Sequence, residues 1–127
     1  MAGEMTAVVQ RMFEALDKGD VEGALGAMAS EVQGIDEVSR RWMRGRDEVV
    51  GHTRDLMTRA TDVHSEMHDV HESEWGDTGA VTFWLEQDYT FEEAREHVSA
   101  PTTCILRSEA GDWRIALFHS IPIGPNG

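Results

Sequence analysis

Asp36 is the residue best placed to do chemistry in this chain of 127 residues. It closes a period-two run in which Val32, Gly34 and Asp36 share one strand face and Gln33, Ile35 and Glu37 share the other. A carboxylate in an apolar pocket is penalised by desolvation, so its pKa rises and it can exchange a proton near neutrality. The alternative is a solvated aspartate at a strand end, beside Glu37. His52 is the second candidate. On a helix it shares an inner face with Val49, Thr53, Leu56 and Ala60. An imidazole there can pair with Asp36 across a cavity, the carboxylate orienting the ring. The alternative is a half-buried core histidine bonded to a carbonyl. His119 is the third. Its strand alternates Trp113, Ile115, Leu117 and His119 with Arg114, Ala116, Phe118 and Ser120, and a slip of one residue exchanges the two sets between faces.

Other polar groupings are weaker. Ser120 adjoins His119, but adjacent strand residues point opposite ways, so they form no nucleophile and base couple. His64, Glu66 and His68 share a strand face, with His71 and Glu72 following. Imidazole and carboxylate suit zinc, yet neighbours two apart on a strand lie about 7 Å apart along its axis, and a solvated polar face is the expected reading. There is no CxxC, no HExxH and no glycine-rich phosphate loop. No metal and no cofactor is expected.

The elements that must position these residues follow from periodicity. In residues 6–17, Val8, Val9, Met12, Phe13 and Leu16 mark one helical face. Residues 1–5 read as a frayed end. Gly19 can stop the helix and Asp20 can cap the next, whose stripe is Val21, Ala24, Leu25 and Met28. A strand is expected over 33–38, a polar turn at Ser39-Arg40-Arg41, a short strand at Trp42-Met43, and a third helix over 46–60 with Asp47 and Glu48 suited to its dipole. Long strands follow over 63–75, 80–91, 97–107 and 113–121. Their connections are the turn 76–79, the charged stretch 92–96 and the turn 109–112. A loose tail begins at Pro122. This order describes an α+β fold with helices on one side of an antiparallel sheet. Trp84, Trp113 and Phe118 place apolar groups on both sheet faces, and a second copy of the chain is the simplest cover for the outer one.

The length suits one domain, residues 1–127, with one core. The net charge of −13 argues against nucleic acid or an anionic membrane as partner. No apolar run approaches the ~20 residues of a membrane span, and the N-terminus has no signal-peptide pattern. Cys104 is the single cysteine, so no internal disulfide forms, and a cytoplasmic location is expected.

Three motifs carry a resemblance. The opening Met5-Thr6-Ala7-Val8-Val9-Gln10-Arg11, with Ala15-Leu16, Gly19-Asp20 and Gly23, is similar to that of bacterial ketosteroid isomerases, without a gap to Gly45. Trp42-x-x-Gly45-Arg46-x-x-Val49 resembles a pattern of SnoaL-like chains. Gly111-x-Trp113-Arg114-Ile115 with His119-Ser120 is similar to the final strand of that group. The chain thus resembles the nuclear transport factor 2-like superfamily over nearly its whole length. The resemblance implies a curved sheet wrapped by three helices from the N-terminal half into a cone with a hydrophobic pocket, the cystatin-like α+β roll. Many members are dimers, and the fold hosts isomerases, cyclases and domains without chemistry.

The resemblance also implies roles for particular residues. Asp36 falls at the position of the isomerases' general base, and His52 at a pocket-lining position. The oxyanion hole of those enzymes pairs a tyrosine with a protonated aspartate. Met12 and Thr103 stand at those positions, and losing such a donor costs about 2.7–4 kcal/mol of transition-state stabilisation. Efficient steroid isomerisation is therefore not expected. Ala116, Phe118 and Ser120 are expected inside the cone, with His119 outside. One reading is a small-molecule protein in which Asp36 and His52 move a proton next to a carbonyl, with Met12, Trp42, Phe83, Thr103 and Phe118 contacting an apolar, polycyclic or carbonyl-bearing ligand. The other is a non-catalytic dimerising or ligand-binding module whose cone is filled by Met12, Met28, Phe13 and Trp42.

Overall fold

The computed structural model describes residues 3–37 and 40–122. In chain order the elements are α1 (Glu4–Asp17), α2 (Val21–Leu25), β1 (Met28–Ile35), β2 (Trp42–Arg44), α3 (Arg46–Met57), β3 (Ala60–Trp75), β4 (Thr78–Phe91), β5 (Ala94–Glu109) and β6 (Asp112–Ser120). The strands form one six-stranded sheet in the order β2-β1-β6-β5-β4-β3. Its pairings are antiparallel except β1 on β6, which is parallel. The curved sheet carries α1 across β3, β4 and β6, while α3 lies against β1, β2 and β3. The core lies between, built from Met5, Val9 and Met12 of α1, Val49 of α3, and Val32, Val81, Leu85, Leu106 and Ile115 of the sheet.

The N-terminal end is a correction. Residues expected to fray are partly in the core: α1 starts at Glu4, and Met5 is 2% exposed. Two long-range contacts explain this. Met5 rests on Gly79, where a Cβ atom would meet its sulfur at 2.2 Å. The first turn of α1 is capped from 66 residues away: Glu72 accepts from the Thr6 N–H at 2.8 Å and from the Thr6 hydroxyl. Gly3, the local cap residue, contributes no side chain. The second helix is also shorter than its apolar stripe, because Met28 already belongs to β1. The charged connection at 92–96 shrinks to Glu92-Glu93, both at positive φ, so that Ala94 pairs with Phe91. The expected turn residue Ser39 and the tail beyond Pro122 lie outside the described residues.

Three register shifts position the site. In β3 the pairing with β4 skips one residue between Thr61 and His64 and again between His68 and His71, where Asp62 and Asp69 take positive φ. In β6 the pairing with β5 skips Ala116 between Ile115 and Leu117. That extra residue switches parity. Ile115 is buried against the helices, and Phe118 and Ser120, three and five residues on, still face inward. His119 is turned outward and exposed.

Candidate functional site

Between α1, α3 and the inner sheet face lies a cavity of about 80 Å³. Met12, Phe13 and Leu16 close it from α1, and Val49, Thr53, Leu56 and Met57 from α3. Its polar wall is Asp36 and Glu37, just past β1, with Gln87 and Tyr89 of β4, Thr102 of β5 and Ser120 of β6. Cys104 lies beside them, fully buried, its thiol pushed up to about 12 by burial.

Asp36 and His52 meet. The His52 Nε2 lies 3.1 Å from the Asp36 Oδ2, and the two side chains are 8% and 16% exposed. Asp36 faces the cavity. His52 also lines a separate surface groove with Arg41, Trp42, Met43 and Asp55. The pair therefore bridges the inner space and the surface.

Glu37 is the residue that periodicity placed wrongly. Alternation assigned it to the face opposite Asp36, yet it is 9% exposed and lines the same cavity. The strand ends at Ile35, and a turn follows in which the Arg40 N–H donates to the Asp36 carbonyl at 3.1 Å. Beyond a strand end parity no longer applies, so both acids turn inward. Burial first, then the charge of Asp36, raises the Glu37 carboxyl from 4.5 to about 7, while hydrogen bonds from its own backbone N–H, then with Ser120 and Gln87, counter part of the shift. Its partners are themselves anchored. Ser120 Oγ lies 2.8 Å from the Thr102 hydroxyl. Gln87 donates to the Ser65 hydroxyl at 3.0 Å, and Ser65 donates to Asp17 at 2.7 Å. The only signal in the sequence was the Asp36-Glu37 pair at the close of an apolar strand.

The other expected site residues divide. Met12 and Phe118 line the cavity. Phe83 stands behind it in the core, edge-on to Phe13 at 5.9 Å. Trp42 and Thr103 are corrections, since both lie on the outer side. Trp42 is 41% exposed, 5.9 Å from the His119 ring and beneath the Arg44 guanidinium at 5.2 Å. Met43 takes the inward position on that strand. Thr103 lies in an outer groove with Trp84, Pro101 and His119, and its neighbour Thr102 takes the cavity position. In both cases an offset of one residue reverses the face.

On the exposed face of β3, Glu66 bonds His64 at 2.9 Å and His68 at 3.1 Å. Among the described residues no group of three or more His, Cys, Asp or Glu is arranged to hold a metal ion. No helix among them is long and apolar enough to cross a membrane.

An α+β chain with a curved six-stranded sheet and an acid-lined inner cavity is the class this geometry defines. The SnoaL-like domain profile matches residues 5–124, and the chain belongs to that family. No curated protein sequence matches it. Among solved structures, it is similar to a ketosteroid isomerase-like protein from Erwinia carotovora atroseptica, with 17% identity over 97% of this chain and 96% of that one and a TM-score of 0.83. It is similar to an uncharacterised protein with a cystatin-like fold from Caulobacter vibrioides, with 17% identity, 97% and 89% coverage and a TM-score of 0.83. A nuclear transport factor 2-like protein from Pseudomonas putida shares 17% identity over 94% and 84% of the chains, with a TM-score of 0.82. At these identities the likeness establishes the fold.

Proposed function

We propose that the cavity takes a small carbonyl-bearing molecule and that the protein moves a proton next to its carbonyl, the step underlying isomerisation and cyclisation. The observation that carries this reading is the Asp36–His52 pair at 3.1 Å, whose carboxylate opens into an otherwise largely apolar cavity. Asp36 is the base, and His52, bonded to it, orients its carboxylate. The volume sets the substrate. A cavity of about 150 Å³ holds benzene, and this one is about 80 Å³, so a polycyclic ligand has no room. A molecule of a few heavy atoms fits, and a larger one must displace the flexible Met12, Met43 and Met57 side chains. The same small volume favours the second reading, a non-catalytic module with a filled cone. Hydrogen exchange decides between them. With butanone in D₂O, wild type is expected to speed loss of the α-protons in proton NMR, and Asp36→Asn to lose on the order of 10²-fold of that rate. An unaccelerated wild type leaves the non-catalytic module.

The outer sheet face supports a homodimer. Trp84, 38% exposed, lies beside Pro101 in a shallow groove with Thr82, Thr103 and His119. Two copies meeting there would cover the indole rings. Trp84→Lys is expected to yield a monomer in sedimentation velocity, while the wild type sediments as a dimer.

A further inference from the structure

We infer that Glu37 is the group that holds the ligand's carbonyl oxygen and delivers a proton to it, opposite in role to its neighbour Asp36. The inference rests on the proton-transfer reading above and supplies the acid that reading lacks. Met12 and Thr103, which stand where steroid isomerases keep their donors, cannot serve: one has no O–H and the other lies on the outer face. Among the groups lining the cavity, Asp36 and Glu37 are the carboxyls, and both sit on the same turn after β1.

The two acids are supported differently, and this divides the labour. Asp36 is bonded to an imidazole that can stabilise its carboxylate form. Among the described residues Glu37 is bonded to no cation. Its hydrogen bonds are to neutral groups, its own backbone N–H, a serine hydroxyl and a glutamine amide. An acid that is buried, next to another carboxylate and supported by neutral groups is most stable carrying its proton, and a protonated carboxyl is a strong hydrogen-bond donor to a carbonyl. The support is stiff. Through Gln87 and Ser65 it reaches Asp17 of α1, and through Ser120 it reaches Thr102 of β5. Glu37 is thereby fixed against five separate elements, β4, β3, α1, β6 and β5, as preorganised stabilisation requires.

The step balances without any further reactant. Asp36 takes the α-proton, the C–H electron pair forms the C=C bond of the enol, and the carbonyl π pair moves to oxygen. Glu37 gives that oxygen its proton. Returning the Asp36 proton to a carbon and the enol proton to Glu37 restores both acids. Among the described residues, four titratable groups besides Glu37 bear on the site: Asp36, His52 of α3 behind it, Tyr89 of β4 and Cys104 of β5. The Tyr89 hydroxyl is raised by burial and then by the Glu37 charge, and the Cys104 thiol is at about 12. Neither loses a proton near neutrality.

The test uses butanone and the whole chain. Exchange of its α-protons by wild type is expected to fall about tenfold per pH unit above about 7. Glu37→Gln keeps the shape and an N–H donor, and is expected to exchange at least tenfold more slowly with that falling limb gone. His52→Gln is expected to keep the limb. A limb that survives in Glu37→Gln, or an undiminished rate there, overturns the assignment of Glu37 and leaves the function of Asp36 standing. If wild type fails to exchange at all, the proton-transfer reading fails instead, and binding decides the role of Glu37. Butanone affinity, from amide shift changes in NMR, is then expected to drop above the same pH in wild type and to stay level in Glu37→Gln. Affinity independent of pH in both, or no binding at any pH, overturns the inference.

Discussion

A buried carboxyl raised from 4.5 to about 7 ties the stability of the molecule to pH. The unfolded chain releases the Glu37 proton near 4.5, whereas the folded chain holds it to about 7. Between those values the native state binds more protons, so stability falls as pH rises through the window and is fully present below it. At 1.36 kcal/mol per unit, the loss from this one group is roughly 3 kcal/mol. Glu37→Gln removes the dependence. Its stability relative to wild type, measured by urea denaturation, is expected to be higher at pH 8 than at pH 4 by that order, and an equal difference at both values would refute the burial of Glu37. At this scale the sequence was partly legible. His52 was readable because its helix face points inward, and Asp36 because the face alternation assigned to it agrees with the inward turn it takes past the strand's end. Thr103 and Trp42 were misplaced by one residue, since alternation does not say which parity faces in. Glu37 was invisible to alternation because it lies past the strand's end.

Elements matter here mainly where two of them touch without space to spare. Gly34 of β1 is paired with Phe118 of β6, and a Cβ atom at Gly34 would lie 2.4 Å from the Phe118 ring. That ring is a wall of the cavity, so Gly34→Ala must push it aside. Overpacking of this kind costs about 1–3 kcal/mol. The expected result is a lower melting temperature together with loss of butanone binding, both read on the same variant. The long strands and α1 were legible in residue periodicity, and so was α3. The entry of α1 was not, because its cap is supplied by Glu72, far along the chain. Nor was the turn at Glu92-Glu93, where two glutamates take a conformation usually left to glycine or asparagine. The parity switch at Ala116, which decides the faces of His119 and Ser120, arises from strand pairing and leaves no local trace.

For the molecule as a whole, the decisive feature is that the sheet stays open, with β2 and β3 as its two edges. An open edge offers unpaired backbone groups to any passing strand. At one side the edge is only three residues long. At the other it runs for 16 residues, and it is there that the chain skips register at Asp62 and Asp69 and carries its row of histidines and acids. Each skip bends the strand away from the straight line that a neighbouring molecule would need to dock alongside it. The charged side chains make such stacking unfavourable as well. The bulges thus oppose extension of the sheet by strand addition at this edge. Deleting Asp69 removes the second skip and brings β3 into continuous register with β4 from His64 to Trp75. The shortened chain is expected to nucleate thioflavin-positive fibrils with a shorter lag than wild type, and an unchanged lag would show that charge alone guards the edge.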